Sequence, residues 1–72
     1  MRNPADLVEL EATQAGKFLN RSAGAVRMLL DRGVLKGRRV GSHRKVTMAE
    51  LRRYRRERER LDRLLGVREL RL

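Results

Sequence analysis

The sequence predicts a small, mainly α-helical domain in which a helix-turn-helix is followed by a short β-hairpin and a longer C-terminal helix. Three observations indicate this fold: two short apolar periodicities separated by a tight turn, a basic stretch around Gly-Ser, and a capped segment rich in Arg and Glu. A length of 72 residues limits the chain to one domain with an economical core. We expect an N-terminal extension at 1–9, the helix-turn-helix and hairpin at 10–54, and a helix continuation with an apolar tail at 55–72.

The N-terminal residues carry signals for the start of a helix. Asn3 precedes Pro4, and Asp6 follows at a position close to the positive end of such a helix. The apolar residues that would then pack on the domain are Leu7, Val8 and Leu10. A frayed terminus explains the same residues equally well, so both interpretations stay open.

The first helix of the helix-turn-helix is expected to open at Thr13. Ala15, Phe18 and Leu19 are spaced three and four residues apart, which is typical of one buried helix face. Gly16 lowers the helix propensity of this segment but permits the close approach of another helix.

Ser22 is expected to cap the second helix. The apolar stripe of this helix consists of Val26, Leu29 and Leu30. Gly33 follows the last periodic residue and Val34 comes directly after it. This order predicts a left-handed glycine at the helix end with an apolar clasp behind it.

The stretch 35–47 predicts a basic β-hairpin. Basic residues flank Gly41-Ser42-His43 on both sides, and short strands around such a centre favour a tight turn. Val40 and Val46 are expected to face the core, with the basic side chains outside. Because few acids lie nearby in the sequence, a merely solvated hairpin is disfavoured relative to one that binds a polyanion.

The segment from Thr47 to Glu50 matches a capping box, so a third helix is expected to start there. Its apolar residues are Leu51, Tyr54, Leu61 and Leu65, which step by three or four residues with Arg58 interrupting the series. Gly66 is expected to end this helix. The run Arg52–Arg60 either extends a binding surface or forms a solvated face with many ion pairs, and Glu57 and Glu59 favour the second interpretation.

The charge balance indicates a polyanionic partner. Lys and Arg number 19 against 9 acidic residues, which gives a net charge of +10. Such a surplus on a short chain repels itself unless DNA, RNA, an anionic membrane or an acidic protein neutralises it. A membrane is the weakest candidate, because the basic helix lacks a broad apolar face with Trp or Phe. The scarcity of aromatic residues disfavours single-stranded nucleic acid.

Composition also disfavours other functional classes. So short a chain leaves little room for an enzyme pocket, so no catalytic residue and no small-molecule substrate are expected. The chain has no Cys and His43 is its only His, so neither a disulfide nor a metal site is expected, and no cofactor is implied. No apolar run approaches a signal-peptide core or a membrane span, which predicts a cytoplasmic, nucleoid-associated protein.

Four stretches match a known pattern in their order and spacing: Ala12–Asn20, Val26–Leu30, Arg32–Leu35 and Arg39–Val46. Through them, residues 10–54 resemble the helix-turn-helix domain of the excisionase family, part of the MerR-like winged-helix group. The chain departs from that family at Arg21, where a small apolar turn residue is usual. It departs again at Ala23 and Gly24, where the family often has polar or Arg side chains that help to read bases.

The resemblance implies a winged helix-turn-helix that binds double-stranded DNA as an architectural factor or transcriptional regulator. In such folds the second helix enters the major groove and the hairpin, or wing, reaches phosphates or the minor groove. The residues placed at DNA by this reasoning are Thr13, Gln14, Arg21, Ser22, Ala23, Gly24, Arg27, Arg38, Arg39, Ser42, His43, Arg44 and Lys45. Arg27 is the best candidate for reading a base, with a phosphate contact as its alternative. The basic residues of the wing are expected to share one face with the helices.

The apolar residues near the C-terminus need burial that a winged domain of this size does not offer. They are Leu61, Leu64, Leu65, Val67, Leu70 and Leu72. A helix–helix contact with another copy along DNA, or with a different protein, is the natural hypothesis. An antitoxin-type module that binds DNA and masks a partner protein through residues 61–72 is therefore the second candidate function, and an RNA-binding protein is the third.

Overall fold

The computed structural model describes residues 4–66, which form three α-helices, three short strands and one turn of 3-10 helix. In chain order these are the 3-10 helix Pro4–Leu7, β1 Glu9–Glu11, α1 Ala12–Leu19, α2 Ala23–Asp31, β2 Arg38–Val40, β3 His43–Thr47 and α3 Met48–Leu65. The domain is therefore mainly helical, with a three-stranded antiparallel sheet in the order β1-β3-β2. This layout is compatible with a winged helix. Within the described residues, no helix is long and apolar enough to cross a bilayer.

The expected hairpin is present, but β3 also pairs with a strand that the sequence did not predict. β1 runs antiparallel to β3, with Leu10 opposite Val46. A stretch of only three residues, Glu-Leu-Glu, is too short to show the period-two alternation that identifies a strand. The N-terminal segment is consequently part of the sheet, and the backbone N–H of Met48 donates to the carbonyl oxygen of Val8 at 2.9 Å.

The core is a single cluster to which each helix and two of the strands contribute. Its buried residues are Ala12, Ala15, Val26, Leu35, Val46 and Leu51, and partly buried Leu10, Phe18, Leu19, Leu29, Leu30 and Tyr54 pack around them. The expected apolar stripes of α1 and α2 are therefore confirmed. The expectation that Leu7 and Val8 pack on the domain is wrong, because they are 61% and 51% exposed.

α1 begins two residues earlier than expected. Its N-cap is Glu11 rather than Thr13, and Gln14 Oε1 accepts a hydrogen bond from the Glu11 backbone N–H at 3.3 Å. Glu11 takes this position because it ends β1 in an extended conformation, so the strand sets where the helix starts. Thr13 lies inside the first turn of the helix.

The turn between α1 and α2 depends on close backbone packing at Gly16. Gly16 is buried, and its carbonyl oxygen accepts from the Arg21 backbone N–H at 2.8 Å. A Cβ at Gly16 would overlap the carbonyl oxygen of Arg21. Asn20 links the helices in a left-handed conformation, with φ of 58°. The expected close approach at Gly16 is confirmed.

Both ends of α2 follow the sequence prediction. Ser22 Oγ accepts a hydrogen bond from the Ala25 backbone N–H at 3.1 Å. Gly33 has φ of 76°, and the backbone N–H groups of Gly33 and Val34 donate to Leu30 and Leu29. This is a Schellman motif. The residue buried behind it is Leu35, however, whereas Val34 is 45% exposed.

The hairpin confirms one of its two predicted core residues. β2 and β3 pair through Val40 and His43, so Gly41 and Ser42 form a two-residue turn with Gly41 at φ of 62°. Val46 is buried, but Val40 is 41% exposed, so its predicted burial is wrong. The cause is register: Val40 lies opposite His43, and these two residues face away from the sheet side that carries Val46.

α3 starts and ends where the sequence predicts, at the N-cap Thr47 and the left-handed Gly66. Thr47 Oγ1 accepts from the Glu50 backbone N–H at 3.2 Å. The Glu50 carboxylate does not form the second hydrogen bond of the expected capping box, the one with the Thr47 backbone N–H. It accepts instead from the Lys36 backbone N–H at 2.8 Å and from Arg53 Nη2 at 2.7 Å, which ties the loop after α2 to α3.

The arginine-rich stretch of α3 carries many ion pairs, as Glu57 and Glu59 had indicated. The pairs on this helix are Arg53–Glu50, Arg53–Glu57, Arg55–Glu59 and Arg58–Asp62, and Arg52 reaches Asp6 of the 3-10 helix. Arg55 also lies over the ring of Phe18, 4.3 Å from its centroid. The apolar stripe leaves the core beyond Tyr54.

A pair of helical glycines gives the first prediction. Gly16→Ala is expected to lower the free energy of unfolding by at least about 2 kcal/mol, because its Cβ forces the turn backbone away. Gly24→Ala is the matched control. Apart from the adjacent residues and the backbone of α2 itself, the only atom within 4 Å of its Cβ is Ser22 Oγ at 3.9 Å, so alanine is accommodated there and stabilises the helix by up to about 1 kcal/mol. Urea unfolding followed by circular dichroism measures both, and equal effects would contradict this packing.

The Glu50 network gives a pH-dependent prediction. The hydrogen bond from Arg53, together with that from the Lys36 backbone, holds the pKa of Glu50 below its ordinary value of 4.5. Glu50 therefore stabilises the fold above that value, and its contribution is lost as the pH falls through the lowered pKa. Glu50→Gln is expected to destabilise the domain at pH 7 by about 1–2 kcal/mol, with the difference from the wild type shrinking in acid.

Glu57→Gln is the control for this experiment, since Glu57 pairs with the same Arg53 but its side chain is 59% exposed. Its effect is expected to stay below about 0.5 kcal/mol at every pH. A Glu50→Gln effect that is equally small, or one that does not change between neutral and acidic pH, would show that the network does not stabilise the loop.

Candidate nucleic-acid interface

An open groove of about 410 Å³ lies between the start of α1, the helix α2 and the hairpin. It is lined by Glu11, Ala12, Thr13, Arg27, Asp31, Arg39, Ser42, His43 and Arg44. Six of these residues are among those that the sequence placed at DNA, namely Thr13, Arg27, Arg39, Ser42, His43 and Arg44. The fold thus brings together residues from three separate segments of the chain.

α2 contributes the face that points away from the core. Val26 is buried, whereas Gly24, Arg27, Met28 and Asp31 are exposed. At about 100° per residue, these four positions lie on the side of the helix away from Val26. Arg27 and Asp31 extend from this face into the groove. The other residues predicted at the start of α2 have local roles, since Ser22 caps the helix and Ala23 packs partly against the core.

The hairpin contributes Arg39 and Arg44, which lie opposite each other in the β2–β3 register. Because side chains alternate along a strand, both share the sheet face that carries buried Val46. Towards the turn of the hairpin this face is close to the end of α2, where Arg44 Nη2 donates a hydrogen bond to Asp31 Oδ1 at 2.6 Å. This ion pair joins the hairpin to α2 and orients the Arg44 guanidinium. Arg39 is exposed and forms no ion pair with a described residue.

Arg38, His43 and Lys45 lie on the other face of the sheet, so the expectation that the basic wing residues share one face is wrong for them. His43 still borders the groove because it lies next to the turn. Arg38 and Lys45 are opposite each other in register, one position away from Arg39 and Arg44. Arg38 donates from Nε and Nη2 to the two carboxylate oxygens of Glu9, at 2.6 and 2.8 Å. The hydrogen bonds lower the pKa of Glu9 and raise that of Arg38.

Acidic residues lie much closer to the wing than their sequence positions suggested. Besides the pair with Glu9, His43 Nδ1 lies 3.3 Å from Glu11 Oε1, and Arg44 pairs with Asp31. Strand pairing brings Glu9 and Glu11 to the hairpin, and sequence reasoning missed them because β1 was not predicted. The role of Asp31 was missed for a similar reason, since only the folded hairpin places Arg44 beside it.

The remaining predicted residues lie outside the groove lining. Gln14 is engaged in capping α1, and Glu11 brings a carboxylate to that helix start, which makes it less favourable for a phosphate than expected. Arg21 is exposed in the turn between the helices, and Gly24 is exposed on α2. These two residues are accessible to solvent, but neither lines the groove.

Ion pairing decides which positive charges are available to a ligand. In residues 4–66, all the acidic side chains lie within ion-pairing distance of an Arg or of His43. The basic residues without an ion pair to any described residue are Lys17, Arg21, Arg27, Arg32, Lys36, Arg39, Lys45, Arg56, Arg60 and Arg63. Of these, Arg27 and Arg39 lie in the groove. In the same part of the chain, no group of His, Asp and Glu could hold a metal ion.

The predicted partner-contact residues of α3 are exposed. Leu61, Leu64 and Leu65 are 44%, 70% and 71% exposed. Leu61 borders a groove of about 360 Å³ that is lined by Leu29, Val34 and Tyr54 together with charged residues of α3. Val67, Leu70 and Leu72 lie outside the described residues.

Comparison with known proteins gives no relative. No protein family matches the chain, and neither a curated protein nor a solved structure is significantly similar to it. Fold and site together define a small, strongly basic helical domain with a three-stranded antiparallel sheet and a groove between α2 and the hairpin.

Proposed function

We propose that this domain binds double-stranded DNA with its α2–hairpin groove, as a small excisionase-like architectural factor or transcriptional regulator of the MerR-like winged-helix group. One observation carries the proposal: the outward face of α2 and the arginines of the hairpin lie side by side along one groove. A helix with side chains measures about 10–12 Å across, which fits the DNA major groove of about 12 Å.

The groove residues then divide into two roles. Arg39, exposed and without an ion pair, contacts a phosphate, whereas Arg44 stays paired with Asp31 and positions the hairpin beside α2. Arg27 lies on the helix that enters the major groove and contacts a base edge. The carboxylate of Asp31 repels phosphates and accepts hydrogen bonds from cytosine amino groups, so it favours base edges over backbone. This division supports a preference for sequence as well as general affinity for duplexes.

Arg39→Ala is expected to weaken duplex binding and to lower the slope of log affinity against log salt by about one unit, because one phosphate contact is lost. Lys45→Ala is the matched control, since it removes the same charge from the same hairpin but on the opposite face of the sheet. Its slope is expected to equal that of the wild type. Fluorescence anisotropy with a labelled duplex across a salt series measures both variants.

If both variants lose the same amount of duplex affinity and of salt slope, the net charge of the chain, rather than the groove, determines binding. The sequence-preferring part of the proposal has its own test in the same assay. A duplex obtained by in vitro selection is expected to bind more tightly than random duplex at raised salt, and identical affinities would remove the regulator interpretation.

A second candidate function is contact with another protein chain, and the exposure of Leu61, Leu64 and Leu65 favours it. We propose that a second copy covers these leucines when copies bind along DNA. Leu64→Gln combined with Leu65→Gln is expected to reduce cooperativity on long duplexes and self-association in sedimentation, with single-site affinity changed by less than about twofold. Unchanged sedimentation and cooperativity would exclude self-contact and leave an antitoxin-type partner as the alternative use of this surface.

A further inference from the structure

Arg56, Arg60 and Arg63 form a stripe along the solvent face of α3, which we call the arginine stripe. Relative to buried Leu51, these positions point away by roughly 140°, 180° and 120°, at about 100° per residue. All three side chains are exposed. The stripe borders an open cleft whose lining consists only of charged residues of α3.

The stripe is distinguished from the other arginines of α3 by the absence of ion pairs. Arg52, Arg53, Arg55 and Arg58 each pair with a carboxylate, whereas the stripe forms no ion pair with any residue in 4–66. Glu57 and Glu59 also line the cleft, but they pair with Arg53 and Arg55, so the three guanidinium groups of the stripe have no ion-pair partner among residues 4–66. Holding like charges together is unfavourable unless a polyanion binds there.

The stripe is also separate from the α2–hairpin groove. None of the groove residues comes from α3. α2 and α3 bury Val26 and Leu51 in the same core, and the stripe points away from that core. A duplex held in the groove is therefore separated from the stripe by the body of the domain.

We propose that the arginine stripe binds the phosphate backbone of a second DNA duplex, so that one domain bridges two duplexes. The inference rests on the proposed function of the groove. From Arg56 to Arg63 the helix rises by about 10 Å, a length over which one DNA strand presents about three phosphates. Arginine suits bidentate phosphate contacts. The cleft is lined by charged side chains alone, which favours phosphates, although Leu61 and Leu64 of the same helix are also exposed.

A two-duplex capture assay tests this inference. One duplex is immobilised on beads, the protein is added, and capture of a second, fluorescent duplex is measured; single-duplex affinity is measured in parallel. The stripe variant is Arg56→Ala, Arg60→Ala and Arg63→Ala together. Alanine at exposed helix positions preserves the fold, which circular dichroism checks. The control is Lys17→Ala, Arg32→Ala and Lys36→Ala, which removes three exposed basic residues outside both surfaces.

The wild type and the control are expected to capture the second duplex, and the stripe variant is expected to lose capture by at least about tenfold while its single-duplex affinity falls by less than about threefold. Capture that survives in the stripe variant would overturn the inference, whether a dimer or another surface causes it. A stripe variant that loses single-duplex affinity as strongly as capture would show that the stripe extends the first footprint, which also overturns it.

The assay separates this inference from the function on which it rests. A wild-type protein that binds one duplex but never captures a second contradicts only the bridging role. A wild-type protein that binds no duplex contradicts the proposed function of the groove as well. Stripe-dependent binding to vesicles of anionic lipid, without capture of a second duplex, would assign the stripe to a membrane and overturn the inference.

Discussion

The central strand β3 is the constraint on which this structure depends. It pairs with β1 on one side and with β2 on the other, and it carries Val46 into the core. Because strand side chains alternate, fixing Val46 inside determines the face of every other residue of the hairpin. Arg44 is directed to α2 and Lys45 to the opposite side. A shift of one residue in register would exchange these two residues and remove the groove.

Electrostatics then determines what the domain can bind. A net charge of +10 does not by itself locate a ligand, since the charge is spread over the whole chain. Ion pairs sort the basic residues into those engaged within the fold, such as Arg38 and Arg53, and those left for a polyanion, such as Arg27 and Arg39. The arginine stripe on α3 belongs to the second group.

The features that sequence predicts best here are set by local chemistry. The caps at Ser22 and Thr47 and the left-handed glycines at 33 and 66 depend on neighbouring backbone groups, and all four are present. Likewise the apolar stripes of α1 and α2 follow from helical spacing alone.

Non-local pairing explains what the sequence did not show. Three residues of β1 carry no recognisable pattern, yet they move the start of α1 to Glu11 and bring Glu9 and Glu11 to the hairpin. The outward orientation of Val40 follows from its register with His43, which no local signal fixes. The same limit applied to the candidate site: its residue types were predictable from charge and resemblance, but their division between two faces of the sheet was not.

Backbone amide chemical shifts of the ¹⁵N-labelled protein, titrated with a short DNA duplex at moderate salt, test the central claim most directly. The largest changes are expected on the outward face of α2, at residues 24, 27, 28 and 31, and on the hairpin where it borders the groove, at residues 39, 42, 43 and 44. Smaller changes are expected at Arg38 and Lys45, which lie on the other sheet face. Changes centred on residues 38 and 45, or spread evenly over the basic residues, would contradict the groove as the DNA-binding surface.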